Sequence, residues 1–408
     1  MEPLKRRLLG QLVAHLPEKE FMVVVGARQT GKTTLLNQIL QELRTSNGEV
    51  FYLTLEDHAI LKKLNEHPEN LFSFVIRNPG KRLYILIDEV QYLDDPSNFL
   101  KLIYDKYAPQ VKIIATGSSA FYIDKKFKDS LAGRKRLFEL YTLDFDEFLY
   151  FKTGRQDLTV ELESMRTNPE YISVRRIELE TYFSEYLIYG GYPAVVLAPA
   201  PSKKIEILKE LTGSFIKRDI AEANIRDTDK FYQLMTLLSQ QTGSLVNTNE
   251  LSRTLRLSVT AIENYLYVLQ KCFHIQFVRP FFSNLRKEIT KMPKVYFHDM
   301  GFRNALLNQY QTLDQRIDKG MMIENYAFIR LRARFDYDMI KFWRTADGNE
   351  VDFVIAQTPE SGIAIEIKSD ETQFNPARYR KFVEEYPRFE LHVRALVAKN
   401  NRNSLLAL

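Results

Sequence analysis

The sequence predicts an α/β protein whose first 150 residues fold around a parallel sheet. Four apolar runs, "FMVVVG", "VFYLTL", "RLYILID" and "VKIIATG", alternate there with helical patterns. Such near-continuous apolar runs are typical of parallel strands that are covered on both faces. The chain has 408 residues, and at roughly 150 residues per domain this length predicts two to four domains. Hydrophobic residues make up 45% of the chain and charged residues 27%, which is ordinary for a globular protein.

Composition excludes several classes of protein. The lone cysteine, Cys272, rules out an internal disulfide framework and indicates a reducing compartment. No apolar run approaches the roughly 18 residues that a membrane span needs. Residues 1–16 carry apolar side chains at helical spacing with basic residues between them, which predicts an amphipathic helix, not a targeting segment. We therefore expect a cytoplasmic protein with no membrane partner. The net charge of +5 permits contact with nucleic acid without arguing for it.

Changes of pattern along the chain predict four segments. Helical patterns dominate after the first sheet, and short helices followed by strand-like runs come next. A helix and a strand meander, with the turn "ADGNE" between two alternating runs, complete the chain. The predicted boundaries are 1–155 for the α/β core, 156–235 for a helical segment, 236–310 for short helices with strands, and 311–408 for a second α/β domain.

The run "VVVGARQTGKTTLL" has the spacing of a phosphate-binding loop. Gly26, Gly31, Lys32 and Thr33 stand in the register G-x-x-x-x-G-K-T, between a predicted strand and a predicted helix. Backbone N–H groups of such a loop surround phosphate oxygens, the lysine reaches the β- and γ-phosphates, and the threonine hydroxyl binds Mg²⁺. A glycine-containing turn without a ligand is the alternative. The predicted nucleotide-binding residues are Gly26, Ala27, Arg28, Gln29, Thr30, Gly31, Lys32, Thr33 and Thr34.

The run "RLYILIDEVQYL" ends a buried strand with two acids. We expect Asp88 to hold Mg²⁺ with Thr33, and Glu89 to polarise the attacking water, so ATP and Mg²⁺ are the predicted cofactors. The alternative is that the acidic pair caps the following helix. An apolar strand run between the two motifs, with a glutamate directly after the aspartate, resembles the AAA+ and related ATPases, in contrast to kinases or small GTPases.

The resemblance to AAA+ ATPases implies two further catalytic residues. Ser118, in "IIATGSS", stands where a polar residue reports the γ-phosphate in that family, although serine is also common in turns. Arg134, in "LAGRKR", stands where an arginine often acts across a subunit boundary, although the loop is simply basic as well. An arginine acting in this way would imply a homo-oligomer.

The segment "NTNELSRTLRLSVTAIENYLYVLQKCFHIQFVRPF" has the pattern of two helices joined by a short turn and followed by a strand. This order is that of a winged helix, whose second helix reads DNA while basic side chains hold phosphates. Asn264 and Tyr267 are expected to project outward from that helix, and the loop at Arg286 and Lys287 to contact phosphate. Glu263 on the same helix leaves a protein-docking role open.

Acidic and basic residues stand at fixed positions in the C-terminal meander. Asp352 in "GNEVDFVI" precedes Glu366 and Lys368 of "IAIEIKSD" by a hairpin-length gap, which resembles the pattern of the restriction-endonuclease-like fold. This resemblance implies that Asp352 and Glu366, with Glu324 from the preceding helix, bind Mg²⁺, and that Lys368 orients the attacking water. A surface hairpin with a paired glutamate is the alternative, and such folds are also retained without cleavage.

The chain as a whole resembles prokaryotic ATPases that join an AAA+ core to a C-terminal domain of nuclease-like fold. The motifs are "GARQTGKTTLL", "LIDEVQYL", "TGSSA", "SLAGR", "YGGYPAVV", "KVYFHDMGFRNAL", "IENYAF", "EVDFVI" and "IEIKS". The leading hypothesis is a Mg²⁺-dependent ATPase whose nucleotide state acts on DNA through the later domains. A nucleotide switch that docks protein partners and an ATP-dependent nuclease are the alternatives.

Overall fold

A computed structural model describes residues 4–408 except 47, 77, 79, 118–130, 132, 224, 283–287, 289 and 359. Two compact units divide the chain. The first comprises residues 1–141 with 271–273, and the second comprises 142–270 with 274–408. The first division falls at residue 141, whereas the sequence predicts it near 155.

The first unit is built on a parallel sheet covered by helices. Its strands are β1 (Phe21–Val25), β2 (Glu49–Thr54), β3 (Leu83–Asp88), β4 (Val111–Gly117) and β5 (Lys135–Glu139). Its helices are α1 (Arg7–His15), α2 (Lys32–Thr45), α3 (His58–Glu66) and α4 (Pro96–Tyr107). The strand order is β2-β3-β4-β1-β5, and each neighbouring pair is parallel.

Alternation along the strands of this sheet fills two apolar layers. Val23 and Ile85 face one layer, and Val24, Leu86 and Ile114 face the other. Since both faces are buried, the strands read as continuous apolar runs, as expected for parallel strands. The predicted α/β class and its parallel sheet are confirmed for this unit. The basic strand β5 has no apolar run and was not predicted.

The second unit contains a mainly helical part and a mixed sheet. Its helices are α5 (Phe145–Thr153), α6 (Asp157–Thr167), α7 (Arg176–Tyr189), α8 (Pro193–Val196), α9 (Pro201–Glu222), α10 (Thr228–Gln240), α11 (Thr248–Leu255), α12 (Val259–Lys271, whose last residue belongs to the first unit), α13 (Met300–Leu307), α14 (Lys319–Arg332) and α15 (Arg380–Glu385). Its strands are β6 (Ile275–Pro280), β7 (Lys294–Phe297), β8 (Ile340–Arg344), β9 (Glu350–Thr358), β10 (Ser361–Asp370) and β11 (Phe389–Val397).

The strands of the second unit form one sheet in the order β11-β10-β9-β8-β6-β7. Strands β8, β9 and β10 pair as the antiparallel meander that the sequence predicts. Strand β6 pairs with β8 in parallel through Arg279 with Lys341 and Pro280 with Phe342. The sheet therefore continues across residue 310, where the sequence predicts a boundary between two domains.

Two of the quoted motifs, "YGGYP" and "HDMGFRNAL", meet in the core of the second unit. The buried carboxylate of Asp299 accepts hydrogen bonds from the backbone N–H groups of Gly191 at 2.8 Å and Phe302 at 2.9 Å. A Cβ at Gly190 would lie 2.2 Å from Oδ1 of Asp299, and one at Gly301 would lie 2.0 Å from the carbonyl oxygen of Tyr189. Only glycine allows this approach, so these motifs serve packing.

Within the described part of the chain, every helix is too short or too polar to cross a membrane.

Candidate functional site

The predicted phosphate-binding loop connects the end of β1 to the start of α2. A Cβ on Gly26 would lie 2.0 Å from the carbonyl oxygen of Leu140, so only glycine fits at the start of the loop. The buried ammonium of Lys32 donates hydrogen bonds to the carbonyl oxygens of Gly26 at 3.0 Å and Ala27 at 2.9 Å. The lysine thus lies over the loop, directed at the space the loop encloses.

The threonine of the loop contacts the first acid of the predicted magnesium site. The Thr33 hydroxyl donates a hydrogen bond of 2.7 Å to Oδ2 of Asp88, which lies at the carboxyl end of β3. Tyr52 of β2 donates to the same oxygen at 3.0 Å, and the Thr116 hydroxyl of β4 donates to Oδ1 of Asp88. Residues on three elements therefore hold this carboxylate in place.

Glu89 occupies a strained position beside this carboxylate. Its φ of 61° lies in the left-handed region, which is uncommon for a residue other than glycine. The backbone N–H of Glu89 donates to the Thr116 hydroxyl at 3.2 Å, and the Gln91 amide donates to its carboxylate. Backbone strain of this kind is concentrated at functional sites. These contacts do not support the alternative, in which the acidic pair caps the following helix. The side chain of Glu89 makes no capping hydrogen bond to the short 3₁₀ helix Val90–Tyr92.

A residue that sequence reasoning missed holds the loop from outside. The buried guanidinium of Arg6 donates to the carbonyl oxygen of Thr30 at 2.7 Å and to that of Tyr141 at 2.8 Å. Arg6 thereby fixes the middle of the loop to Tyr141, two residues after the end of β5. In the sequence it is one of several basic residues of an amphipathic helix, and no spacing distinguishes it.

Mg²⁺ prefers an octahedron of oxygen ligands at 2.0–2.1 Å, in which neighbouring ligands lie about 3 Å apart. The hydroxyl of Thr33 and Oδ2 of Asp88 are 2.7 Å apart. This spacing and these oxygen donors fit two neighbouring ligands of one ion. Mg²⁺ usually keeps several waters in such sites, so two protein oxygens are a sufficient set.

The predicted nucleotide-binding residues differ in their exposure. Gln29, Thr33 and Thr34 are exposed, whereas Ala27 and Thr30 are buried. Ser118 lies in 118–130, outside the described residues, so its predicted role stays a prediction.

Arg134 lies away from the loop. It forms an ion pair with Asp105 of α4 at 2.6 Å, and its carbonyl oxygen accepts from the N–H of Phe21, at the start of β1. The phosphate-binding loop follows the opposite end of β1. The structure does not bring Arg134 to Lys32 and Asp88 within one chain, and action across a subunit boundary stays a prediction.

In the second unit, the structure brings two acids of the meander side by side. Oδ2 of Asp352 accepts a hydrogen bond of 2.9 Å from the backbone N–H of Ile367, which places Asp352 next to Glu366. Lys368 forms an ion pair with Oε1 of Glu366. Burial raises the pKa of both carboxyls, and the neighbouring acids raise that of Asp352 further.

Glu324 makes its hydrogen bonds to residues outside this pair, and its charge acts on Asp352, whose pKa is raised first by burial and then by Glu324. Its Oε1 accepts from the Tyr296 hydroxyl at 2.6 Å and from the Lys294 ammonium at 2.9 Å. Lys294 also contacts Glu350 at 2.5 Å and lies 3.8 Å from Oδ1 of Asp352. No sequence pattern connects Lys294, in the predicted wing, with these acids.

The fit of a divalent cation to this cluster is partial. Glu366 is buried, its Oε2 accepts no hydrogen bond from the described residues, and the Tyr379 hydroxyl interacts with the same carboxyl. A buried carboxylate oxygen without a partner fits a cation between Asp352 and Glu366. Within the part of the chain that the structure describes, no three acidic, histidine or cysteine side chains gather in a group that could hold a metal ion. The open oxygen of Glu366 beside Asp352 is the feature that fits an ion, and Glu324 as a further ligand stays a prediction.

Models of three known domain families match successive parts of the chain. Residues 18–149 match the model described as an AAA domain. Residues 180–312 and 319–406 match two families described as domains of unknown function, DUF8612 and DUF4143. The match to the AAA domain covers the phosphate-binding loop and the acidic pair, in agreement with the geometry described above.

Relatives of similar length are known from bacteria and archaea. An uncharacterized protein of Haemophilus influenzae is 26% identical over 368 residues, which cover 87% of this chain and 84% of that protein. An uncharacterized protein of Methanocaldococcus jannaschii is 29% identical over 349 residues, which cover 83% and 73% of the two chains.

Among solved structures, the replication initiator DnaA bound to AMPPCP and single-stranded DNA is 16% identical to this chain, with a TM-score of 0.29. The match covers 64% of this chain and 86% of that one. A TM-score this low does not establish a shared fold. The family match, with the parallel sheet and the loop, identifies residues 18–149 as an AAA-type P-loop ATPase domain.

Proposed function

We propose that the first unit binds ATP with Mg²⁺ and hydrolyses it. The observation that carries this proposal is the direct contact of Thr33 with Asp88, 2.7 Å apart, beside the ammonium of Lys32. These three side chains come from two separate motifs. Together they offer donors for phosphate and oxygens for Mg²⁺ at one edge of the sheet.

Each residue has a defined role in this proposal. Lys32 would exchange its hydrogen bonds to the loop carbonyls for bonds to phosphate oxygens, and Thr33 and Asp88 would hold the ion. When bound, Mg²⁺ offsets the charge of the phosphates. Glu89, which directly follows β3, accepts a proton from a water molecule and orients that water towards the terminal phosphate. Thr116 positions both acids, since it bonds the side chain of Asp88 and the backbone of Glu89.

Steady-state release of phosphate from ATP tests this function. We expect Mg²⁺-dependent turnover by the native chain and a loss of at least about 100-fold in Glu89→Gln, since general base catalysis contributes roughly 10² to 10⁴ in rate. The matched control is Glu42→Gln, an exposed glutamate of α2 that pairs with Lys5. Turnover in Glu89→Gln equal to that of the control would remove the proposed role.

We also propose that the second unit contacts DNA. Helices α11 and α12 followed by β6 and β7 have the element order of a winged helix. Asn264 and Tyr267 are exposed on α12, and Arg253 and Arg256 are exposed on and after α11. The predicted phosphate contacts Arg286 and Lys287 lie outside the described residues. These surfaces support a nucleic-acid role, and docking of a protein partner is the alternative.

Salt dependence of binding separates DNA from a protein partner. We expect double-stranded DNA to bind more tightly as salt falls, and Arg253→Ala with Arg256→Ala to reduce the slope of log K against log salt by about 2. The control replaces Lys203 and Lys209 of α9, which are also exposed. An absence of DNA binding at about 50 mM salt would favour the protein-docking alternative, because phosphate contacts strengthen at low salt.

A second candidate function is phosphodiester cleavage in the nuclease-like domain. The open oxygen Oε2 of Glu366 favours it, since a divalent ion held there by Asp352 would polarise a phosphate next to Lys368. Incubation of plasmid DNA with Mg²⁺ or Mn²⁺ tests it. Cleavage by the native chain but not by Asp352→Ala or Lys368→Ala is the expected result for a nuclease, and intact plasmid in every arm would leave the domain as a binding module.

A further inference from the structure

Lys294 lies among the acids of the second unit in a way that no motif indicates. Its side chain is 2% exposed, and its ammonium contacts Glu324 at 2.9 Å and Glu350 at 2.5 Å, with Asp352 at 3.8 Å. The ammonium also lies 5.5 Å from the centre of the Phe342 ring. A buried ammonium surrounded by three carboxylates is a fixed positive charge, because the opposite charges around it favour its charged form.

The strand that carries Lys294 fixes the ammonium in this position. Lys294 begins β7 and is paired with Val278 of β6, while its neighbour Pro293 accepts a hydrogen bond of 2.8 Å from the N–H of Val246. Its carboxylate partners come from α14 and β9, on the other side of the predicted boundary at residue 310. The ammonium therefore joins the predicted wing to the nuclease-like strands.

Glu324 is held by donors outside the pair of Asp352 and Glu366. Two donors, the Tyr296 hydroxyl and the Lys294 ammonium, share its Oε1. Its carboxylate also lies against Gly243, where a Cβ would be 3.1 Å from each carboxylate oxygen. Glu350, the other partner of the ammonium, is further held by Arg344 at 3.0 Å. These contacts occupy the acids that a second metal ion would need.

Cleavage sites with two metals hold them about 3.5–4 Å apart, each bound by several carboxylate oxygens. In this cluster Lys294 engages Glu324 and Glu350, while Asp352 lies between the ammonium and Glu366. We propose that the Lys294 ammonium takes the place of a second cation, so that the cluster accepts one divalent ion, between Asp352 and Glu366, and Glu324 is not a ligand. This inference rests on the cation site proposed above.

Counting the Mn²⁺ bound per chain tests this division without measuring any cleavage. The free Mn²⁺ signal in electron paramagnetic resonance is titrated with the full-length chain without nucleotide, and Asp88→Asn is present in every sample to remove the ion of the first unit. We expect one Mn²⁺ per chain in the parent protein and none in Asp352→Asn. We expect two in Lys294→Met, because loss of the ammonium leaves space for a second cation among its carboxylate partners. A circular dichroism spectrum checks the fold of each variant.

Glu324→Gln supplies an arm that does not depend on the folding of Lys294→Met. We expect it to bind one Mn²⁺ with unchanged affinity, because its carboxylate serves Lys294 and Tyr296. A loss of at least about tenfold in affinity would make Glu324 a ligand and overturn the inference. One ion in a folded Lys294→Met would also overturn the role of Lys294 while leaving the proposed cation site intact. No bound Mn²⁺ in the parent chain would remove both.

Discussion

The hydroxyl of Thr33 and the carboxylate of Asp88 meet at 2.7 Å, although 55 positions separate them in the sequence. Thr33 follows β1 and Asp88 ends β3, and only β4 lies between these two parallel strands in the sheet. Because the carboxyl ends of parallel strands share one edge, the loop and the acid meet there. The relationship explains why two motifs that are distant in sequence form one site.

Tyr52 is expected to position Asp88 for catalysis. In Tyr52→Phe, Oδ2 of Asp88 loses one of its two donors, which costs about 1 kcal/mol, or roughly fivefold in turnover. Steady-state ATP hydrolysis measures the loss. The control Tyr84→Phe changes another partly buried tyrosine of the same apolar layer, and an equal effect in both variants would show that the contact with Asp88 is unimportant.

Arg6 is expected to maintain the shape of the phosphate-binding loop. Arg6→Gln removes the charged donor to the carbonyl oxygens of Thr30 and Tyr141, and each such bond contributes about 1.5–3 kcal/mol. We expect a lower unfolding temperature and at least about tenfold weaker binding of a fluorescent ATP analogue. Arg7→Gln, at the exposed neighbouring position, should change neither quantity. Indistinguishable variants would contradict the role given to Arg6.

Gly301 is expected to be essential for packing in the second unit. In Gly301→Ala the new methyl group would lie 2.0 Å from the carbonyl oxygen of Tyr189, so the backbone must move, at a cost of roughly 3 kcal/mol. The control Gly320→Ala lies in α14 with open space around it and should gain up to about 1 kcal/mol from helix propensity. Urea unfolding measures both. Equal midpoints would refute the close approach of these two segments.

Lys112 is expected to make stability depend on pH. Burial and the nearby charge of Arg82 lower its pKa to about 8, below the usual value of 10.5. Between pH 8 and 10.5 the unfolded chain therefore binds more protons than the folded chain, so this residue makes the free energy of unfolding rise with pH. We expect the rise to be smaller in Lys112→Met. Parallel pH profiles for the two proteins would contradict the lowered pKa.

Local patterns were sufficient to predict the α/β class and to propose the residues of the first candidate site. Gly26, Lys32 and Thr33 lie within eight residues. Asp88 ends a strand that is buried on both faces and is therefore a continuous apolar run in the sequence. Tyr52 and Thr116 were missed because their role depends on strand order, which places β2 and β4 on either side of β3. No local period encodes that order.

The second unit shows the limit of such reasoning more clearly. The meander from β8 to β10 follows from alternating residues and a turn at Gly348, but the pairing of β6 with β8 joins segments about 60 residues apart through two residue pairs. In the sequence alone, Lys294 is one of several basic residues in and around the predicted wing. Its burial among Glu324, Glu350 and Asp352 is a tertiary feature that no local pattern indicates.

The affinity for ATP with and without Mg²⁺, measured by calorimetry on the native chain and on Lys32→Ala, tests the central claim most directly. We expect the native chain to bind ATP more tightly with Mg²⁺, and Lys32→Ala to lose at least about tenfold in affinity, or about 1.4 kcal/mol. Lys5→Ala, an exposed lysine that pairs with Glu42, is the control. Equal affinities in all three proteins, or no binding by the native chain, would contradict the proposal that this loop and Asp88 form a nucleotide site.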